Sequence, residues 1–107
     1  MSDGIKISKR LVVLGAGESG VGAAILGKQK KYEVFVSDRG TISHKYKDVL
    51  LKENIPFEET KHTKEQILNA DVVVKSPGIS DSTPLIMLLR SQGTQTVSYT
   101  HLRAHET

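Results

Sequence analysis

Residues 11–20, LVVLGAGESG, run from an unbroken apolar stretch into a glycine-rich turn. Val12, Val13 and Leu14 have the continuously apolar, largely β-branched character of a strand buried on both faces. Gly15, Gly17 and Gly20 then spell G-x-G-x-x-G where strand gives way to helix. Each glycine has a task there: a tight turn, close approach of backbone to a phosphate, and close packing of helix on strand. The N–H groups of Glu18, Ser19 and Gly20 open the helix, where aligned peptide dipoles favour an anion. The alternative is a tight strand-to-helix turn with no ligand. Context favours a diphosphate-binding turn, because a strand precedes the motif, a helix follows it, and Asp38 ends the next strand.

Outward from this stretch the pattern alternates. Strands are expected at 9–14, 32–37, 56–59, 71–75 and 94–98, and helices at 19–31, 44–54, 63–70 and 85–92. The short third strand carries charge and suits a sheet edge. Gly22, Ala23, Ala24 and Gly27 give the first helix a small-residue surface that can lie close to a sheet. Thr63 and Gln66 have the spacing of a capping box, and Pro84 has the favoured first position of a helix. This alternation predicts an α/β fold: a Rossmann-like, three-layer domain with a five-stranded parallel sheet, order 3-2-1-4-5, and helices on both faces. Ligands of such sheets lie at the carboxyl ends of the strands, near the switch between strands 1 and 4. The glycine turn, Asp38 and the Ser76-Pro77-Gly78 bend after the fourth strand converge there.

Composition narrows the function. A chain of 107 residues makes one domain at most, divided here into a lead-in (1–8), a folded unit (9–98) and a disordered or artefactual tail (99–107). The absence of cysteine excludes disulfides and thiolate metal sites and fits the cytoplasm. No apolar run is long enough to span a bilayer, and residues 1–8 lack the apolar core of a secretory signal. A net charge of +3 with scattered lysines and few aromatics does not suggest nucleic acid as a partner. Lys28, Lys30 and Lys31 read as a solvated helix end.

The runs VVLGAGESGVG (12–22), VFVSD (34–38) and ILNADVVVKSPGI (67–79) resemble the N-terminal domain of the bacterial Mur ligases, most of all the D-glutamate-adding branch. The similarity covers about residues 9–97, and the Ser-Pro-Gly bend is its more distinctive half. The resemblance implies a domain that holds the UDP part of a UDP-N-acetylmuramoyl substrate in peptidoglycan synthesis. Gly15, Gly17, Glu18, Ser19 and Gly20 then correspond to the diphosphate turn, Asp38 to the uracil contact, and Ser76, Pro77 and Gly78 to the opposite wall. The family carries a hydroxyl and then arginine after the acidic residue. Here the pair is Arg39-Gly40, so Arg39 would stack on uracil from a shifted position.

The family's chemistry uses ATP and Mg²⁺ to make an acyl phosphate that an amine attacks. No G-x-x-x-x-G-K-[ST] occurs in this sequence, so central and C-terminal domains are expected to be missing, and the piece alone to bind without turning over. No catalytic residue and no resident cofactor is assigned. The runner-up reading is an NAD(P)-binding oxidoreductase domain with Asp38 on a ribose. Residues 99–107 lack the acidic, apolar character of the family's continuation and have that of translated adapter sequence. His101 and His105 within them share helical spacing but have no further ligands, so no metal site is assigned. His44 and His62 read as solvated surface, and Lys75 either reaches a phosphate or ends its strand in solvent.

Overall fold

The computed structural model describes residues 9–98; the lead-in, the tail and its two histidines lie outside them. The elements are β1 (Arg10–Leu14), α1 (Glu18–Gln29), β2 (Glu33–Asp38), α2 (His44–Lys52), β3 (Phe57–Glu59), α3 (Lys64–Ile67), β4 (Val72–Lys75), α4 (Pro84–Ser91) and β5 (Gln95–Ser98). The strands form one sheet in the order β3-β2-β1-β4-β5, every pair parallel. Both the fold class and the strand order match the sequence pattern.

β1 shows why the sequence builds three layers. Leu11 and Val13 join Val34, Val36, Val21, Ala24 and Leu50 on the α1/α2 face. Val12 and Leu14 join Phe35, Val73, Ile67, Ile86 and Leu89 on the α3/α4 face. Alternate side chains of one strand therefore feed two cores, which is why that strand has no polar face.

Gly27 brings α1 down onto the sheet. A Cβ there would lie 2.5 Å from Leu11 Cδ2 and 3.3 Å from Val34 Cγ2. Gly22 plays no such part, since nothing lies within 4 Å of a Cβ at that exposed position.

Three helices end in one way. Lys31, Asn54 and Gly93 take left-handed φ values of 74°, 58° and 89°. The following N–H of Tyr32, Ile55 or Thr94 then returns to the carbonyl of Gly27, Leu50 or Leu89 at 3.0, 2.9 and 2.9 Å. Lys28 is exposed but engaged: its Nζ donates to the carbonyls of Glu53 (2.7 Å) and Asn54 (3.1 Å), tying α1 to the end of α2.

The third helix departs from expectation. It is one turn, Lys64–Ile67, without a side-chain cap. Both arms of the expected capping box are used elsewhere: the Thr63 hydroxyl donates to Glu58 Oε1, and Gln66 Oε1 accepts from Arg10. The Thr63 N–H that Gln66 would accept from in a capping box donates to Glu58 Oε2 at 2.8 Å instead, a charge-assisted bond.

Candidate functional site

Strand ends and the loops that leave them line a groove of about 1250 Å³ at the carboxyl edge of the sheet. Its volume exceeds the usual range for a drug-sized ligand and suits an extended one. All the residues singled out from sequence border it: Gly15, Gly17, Glu18, Ser19 and Gly20 from the first turn, Asp38 and Arg39 after β2, and Ser76, Pro77 and Gly78 after β4.

The first turn depends on its first glycine. Gly15 has φ of 102°, where a side chain would be strained, and its N–H donates to the Ser37 carbonyl at 2.8 Å. Gly17 is the N-cap residue, and its carbonyl accepts from Val21 N–H at 2.9 Å. No side chain caps α1, and the N–H groups of Glu18, Ser19 and Gly20 meet no acceptor among the described residues. They are the donors that a helix start leaves for something else. Around Gly17 the space is open, with nothing within 4 Å of a Cβ.

Asp38 stitches the groove floor together. One carboxylate oxygen accepts from Ala16 N–H at 2.7 Å and the other from Gly40 N–H at 2.8 Å. It therefore fixes the glycine turn against the end of β2. Arg39 beside it is exposed.

The opposite wall is built by the bend after β4. Ser76 Oγ accepts from Gly78 N–H at 3.2 Å, and Ser76 N–H donates to the Leu14 carbonyl at 3.1 Å. Lys75 neither reaches for a phosphate nor ends in solvent. It is buried, donates to the Ile79 carbonyl at 2.8 Å, and pairs with Asp81 at 3.3 Å. It is a tether for the bend, because a buried ammonium must spend its protons on nearby acceptors.

Sequence reading missed the β3–α3 side. Thr60, Lys61, His62 and Lys64 also border the groove. His62 is half-buried, and its Nδ1 lies 2.7 Å from the hydroxyl of Ser37, a side chain with no exposure at all. Burial pushes the imidazole below its ordinary value of 6.5 and Arg39 adds to this, while Glu58 and Asp38 act the other way with less effect. Glu58 is raised by burial. Thr63 N–H, the hydroxyls of Thr63 and Ser37, and Lys61 outweigh that and hold its carboxyl below the ordinary value of 4.5. The signal that could have pointed to His62 was a serine following the apolar run Val34–Val36 of β2, which needs a polar partner once buried.

Comparison with known proteins bears on the family and the fold. The model of the MurD N-terminal domain family matches residues 10–85. The chain belongs to the MurD N-terminal domain family. Over 90 residues it is 58% identical to UDP-N-acetylmuramoylalanine–D-glutamate ligase of Bacteroides thetaiotaomicron, covering 84% of this chain and 20% of that protein. The Bacteroides fragilis ligase of the same name is 59% identical over 90 residues, 84% of this chain and 20% of that protein. The chain thus spans about a fifth of the length of the curated relatives it matches. Among solved structures, a pseudomurein peptide ligase type C from Methanothermus fervidus superposes with a TM-score of 0.74 at 24% identity, over 89% of this chain and 20% of that one. At that identity the likeness speaks for the fold.

Proposed function

We propose that this chain is the substrate-nucleotide-binding part of a peptidoglycan ligase that adds D-glutamate to UDP-N-acetylmuramoyl-L-alanine. Membership of the MurD N-terminal domain family carries the reading. The free N–H groups of Glu18, Ser19 and Gly20 support diphosphate binding at the start of α1. The uridine end would lie toward Asp38 and Arg39, with Arg39 stacking on the base, and Ser76-Pro77-Gly78 would close the other side. Asp38 holds the turn in register, each carboxylate oxygen accepting one backbone N–H and keeping a lone pair for a ligand. The Ser76-Pro77-Gly78 bend, which a dinucleotide fold does not require, favours the ligase reading over a dinucleotide-dependent oxidoreductase.

The ATP- and Mg²⁺-dependent step belongs, in this proposal, to central and C-terminal domains outside these 107 residues. The sequence holds no lysine-bearing phosphate loop, and the described residues contain no cluster of His, Cys, Asp or Glu suited to a metal ion. The residues present do not fit those groups. The chain by itself would bind nucleotide without turnover, in the cytoplasm; among the described residues no helix is long and apolar enough to cross a membrane.

Calorimetric titration with UDP-N-acetylmuramoyl-L-alanine, UDP and NADH tests the reading. The muramoyl nucleotide and UDP are expected to bind and NADH to give no heat. Tight NADH binding without a UDP response would reverse the assignment.

A further inference from the structure

The loop between β4 and α4 is two turns in succession. In the first, Ile79 N–H donates to the Ser76 carbonyl at 3.0 Å and Gly78 N–H to Ser76 Oγ at 3.2 Å. In the second, Thr83 N–H donates to the Ser80 carbonyl at 3.1 Å and Ser82 N–H to Ser80 Oγ at 3.1 Å. These bonds shape each turn but fasten neither to the sheet. Among the described residues, the polar contacts that reach residues 77–82 from outside the turns come from two cations. Lys75 Nζ donates to the Ile79 carbonyl at 2.8 Å and lies 3.3 Å from Asp81 Oδ1, and Arg90 Nη2 lies 3.3 Å from the same oxygen. Ile79 adds an apolar foot on the α3/α4 core.

Both cations are themselves fixed. Lys75 lies two residues beyond Val73 on β4 and so on the same α3/α4 face, with only 8% of its side chain exposed. Arg90, in the last turn of α4, donates from Nε to Thr96 Oγ1 on β5 at 2.7 Å. An ion pair between exposed groups contributes little, and Asp81 is exposed. Here, however, one partner is a buried ammonium. Without Asp81, Lys75 would keep one acceptor, the Ile79 carbonyl, for three protons, and would have to shift toward water to satisfy the others. Because the same ammonium holds Ile79, the loop would shift with it.

Resting on the nucleotide-binding reading above, we propose that Asp81 is a positioning residue for the ligand: bridging Lys75 and Arg90, it clasps the β4–α4 loop where that loop walls the groove. Ser76, Pro77, Gly78, Ile79 and Ser80 border the groove, whereas Lys75, Asp81 and Arg90 do not. The clasp therefore acts through the loop and never touches the nucleotide. It joins three elements, β4 through Lys75, α4 through Arg90 and β5 through Thr96, so the wall keeps one distance from the glycine turn on the far side.

The test measures UDP binding to the full chain and its variants by calorimetry, with amide NMR of each. In Asp81→Asn, which keeps the size and removes the charge, UDP affinity should fall about fivefold. Asp81→Glu, which restores the charge, should bind UDP within about twofold of the unaltered chain. Lys75→Met combined with Asp81→Asn should cost about fivefold rather than about fifteenfold, because groups that act through one contact do not add. In the ligand-free Asp81→Asn chain, the amide signals of Gly78 and Ile79 should shift, while those of Gly15 and Val21 at the glycine turn stay in place. Arg90→Gln reads the clasp from its exposed side, clear of the core, and should cost about twofold. Unchanged UDP affinity in Asp81→Asn overturns the assignment and leaves the nucleotide reading standing. Should that variant not fold, unchanged affinity in Arg90→Gln does the same. Asp81→Glu as weak as Asp81→Asn, or losses that add in the double variant, show a merely structural carboxylate and also overturn it. No UDP binding by the unaltered chain removes the nucleotide reading and this one together.

Discussion

The two ends of one sheet treat their polar groups in opposite ways. At the amino end, Arg10 is only 5% exposed and nearly every donor is engaged. Its Nε donates to Asn69 Oδ1 (3.0 Å), Nη1 to Glu33 Oε2 (2.8 Å), and Nη2 to the carbonyl and side-chain oxygens of Gln66 (2.7 and 3.1 Å). The guanidinium also lies 5.3 Å from the centre of the Phe35 ring. Its own backbone N–H donates to Asp71 Oδ2 at 2.7 Å. At the carboxyl end, the first amides of α1 have no acceptor among the described residues, and His62 is held at the groove by its Nδ1 against Ser37. One end is closed by satisfied bonds and holds the fold. The other keeps bonding capacity in reserve, which is what a binding site needs.

Substitutions at the closed end should cost stability, and the largest loss is expected for Arg10→Ala. It leaves the Gln66 and Asn69 oxygens unpaired in a part-buried place and strips the packing over Phe35. Because Glu33 is half exposed, its ion pair adds little. A loss of about 3 kcal/mol is expected, seen in urea denaturation and as a fall of more than about 10 °C in melting temperature. A fall of a degree or two would show that the amino end is not the structural one.

Gly27→Val should come next, at about 2 kcal/mol. Leu11 is the side chain that must move, and it is packed in the core at 5% exposure. Gly17→Val is the sharp contrast at the open end. Nothing stands in the way of its side chain in the free chain, so stability should fall by less than about 1 kcal/mol, the scale of a poorer N-cap residue. Affinity for UDP should nevertheless fall at least tenfold, because the branched side chain occupies the space that a diphosphate would use (~1.4 kcal/mol or more). Calorimetry on the folded variant checks this, and unchanged affinity would count against binding at that turn. Lys75→Met should have a smaller effect. It releases the Ile79 carbonyl and the Asp81 pair, and Asp81 is well exposed, so UDP affinity should drop about threefold as the bend after β4 loosens.

How much of this was legible beforehand differs between the two ends. The strand order followed from alternating apolar runs, and the glycine turn and Ser-Pro-Gly bend marked the groove because local backbone geometry demands particular residues. Arg10 and His62 left no such mark. Each acquires its role from partners far along the chain: Glu33, Gln66 and Asn69 for one, Ser37 for the other. The capping box at Thr63 failed because Glu58 on β3 takes both the N–H and the hydroxyl proton of Thr63. Lys31 and Asn54 end helices in a left-handed conformation that glycine would have announced and these residues do not. Local rules carried the elements, and long-range polar pairing was invisible to them.

Acid should separate the ends by the smallest effect, and its sign can be worked out. His62 titrates below its ordinary value of 6.5 in the folded chain, so the unfolded chain binds its proton first as pH falls. The associated stability is present above about pH 6.5 and is lost as pH drops from there through the folded value. Glu58 is likewise lowered from 4.5, so its contribution is present above that pH and lost further down. Urea midpoints measured from pH 7.5 to 3.5 should therefore fall in two stages. His62→Gln should abolish the first stage and retain the second, because it removes the titrating ring and leaves Glu58 with the Thr63 donors. If the first stage survives in His62→Gln, the ring is not the group that acid reaches first, and the Ser37–His62 pair is not the weak point of the open end.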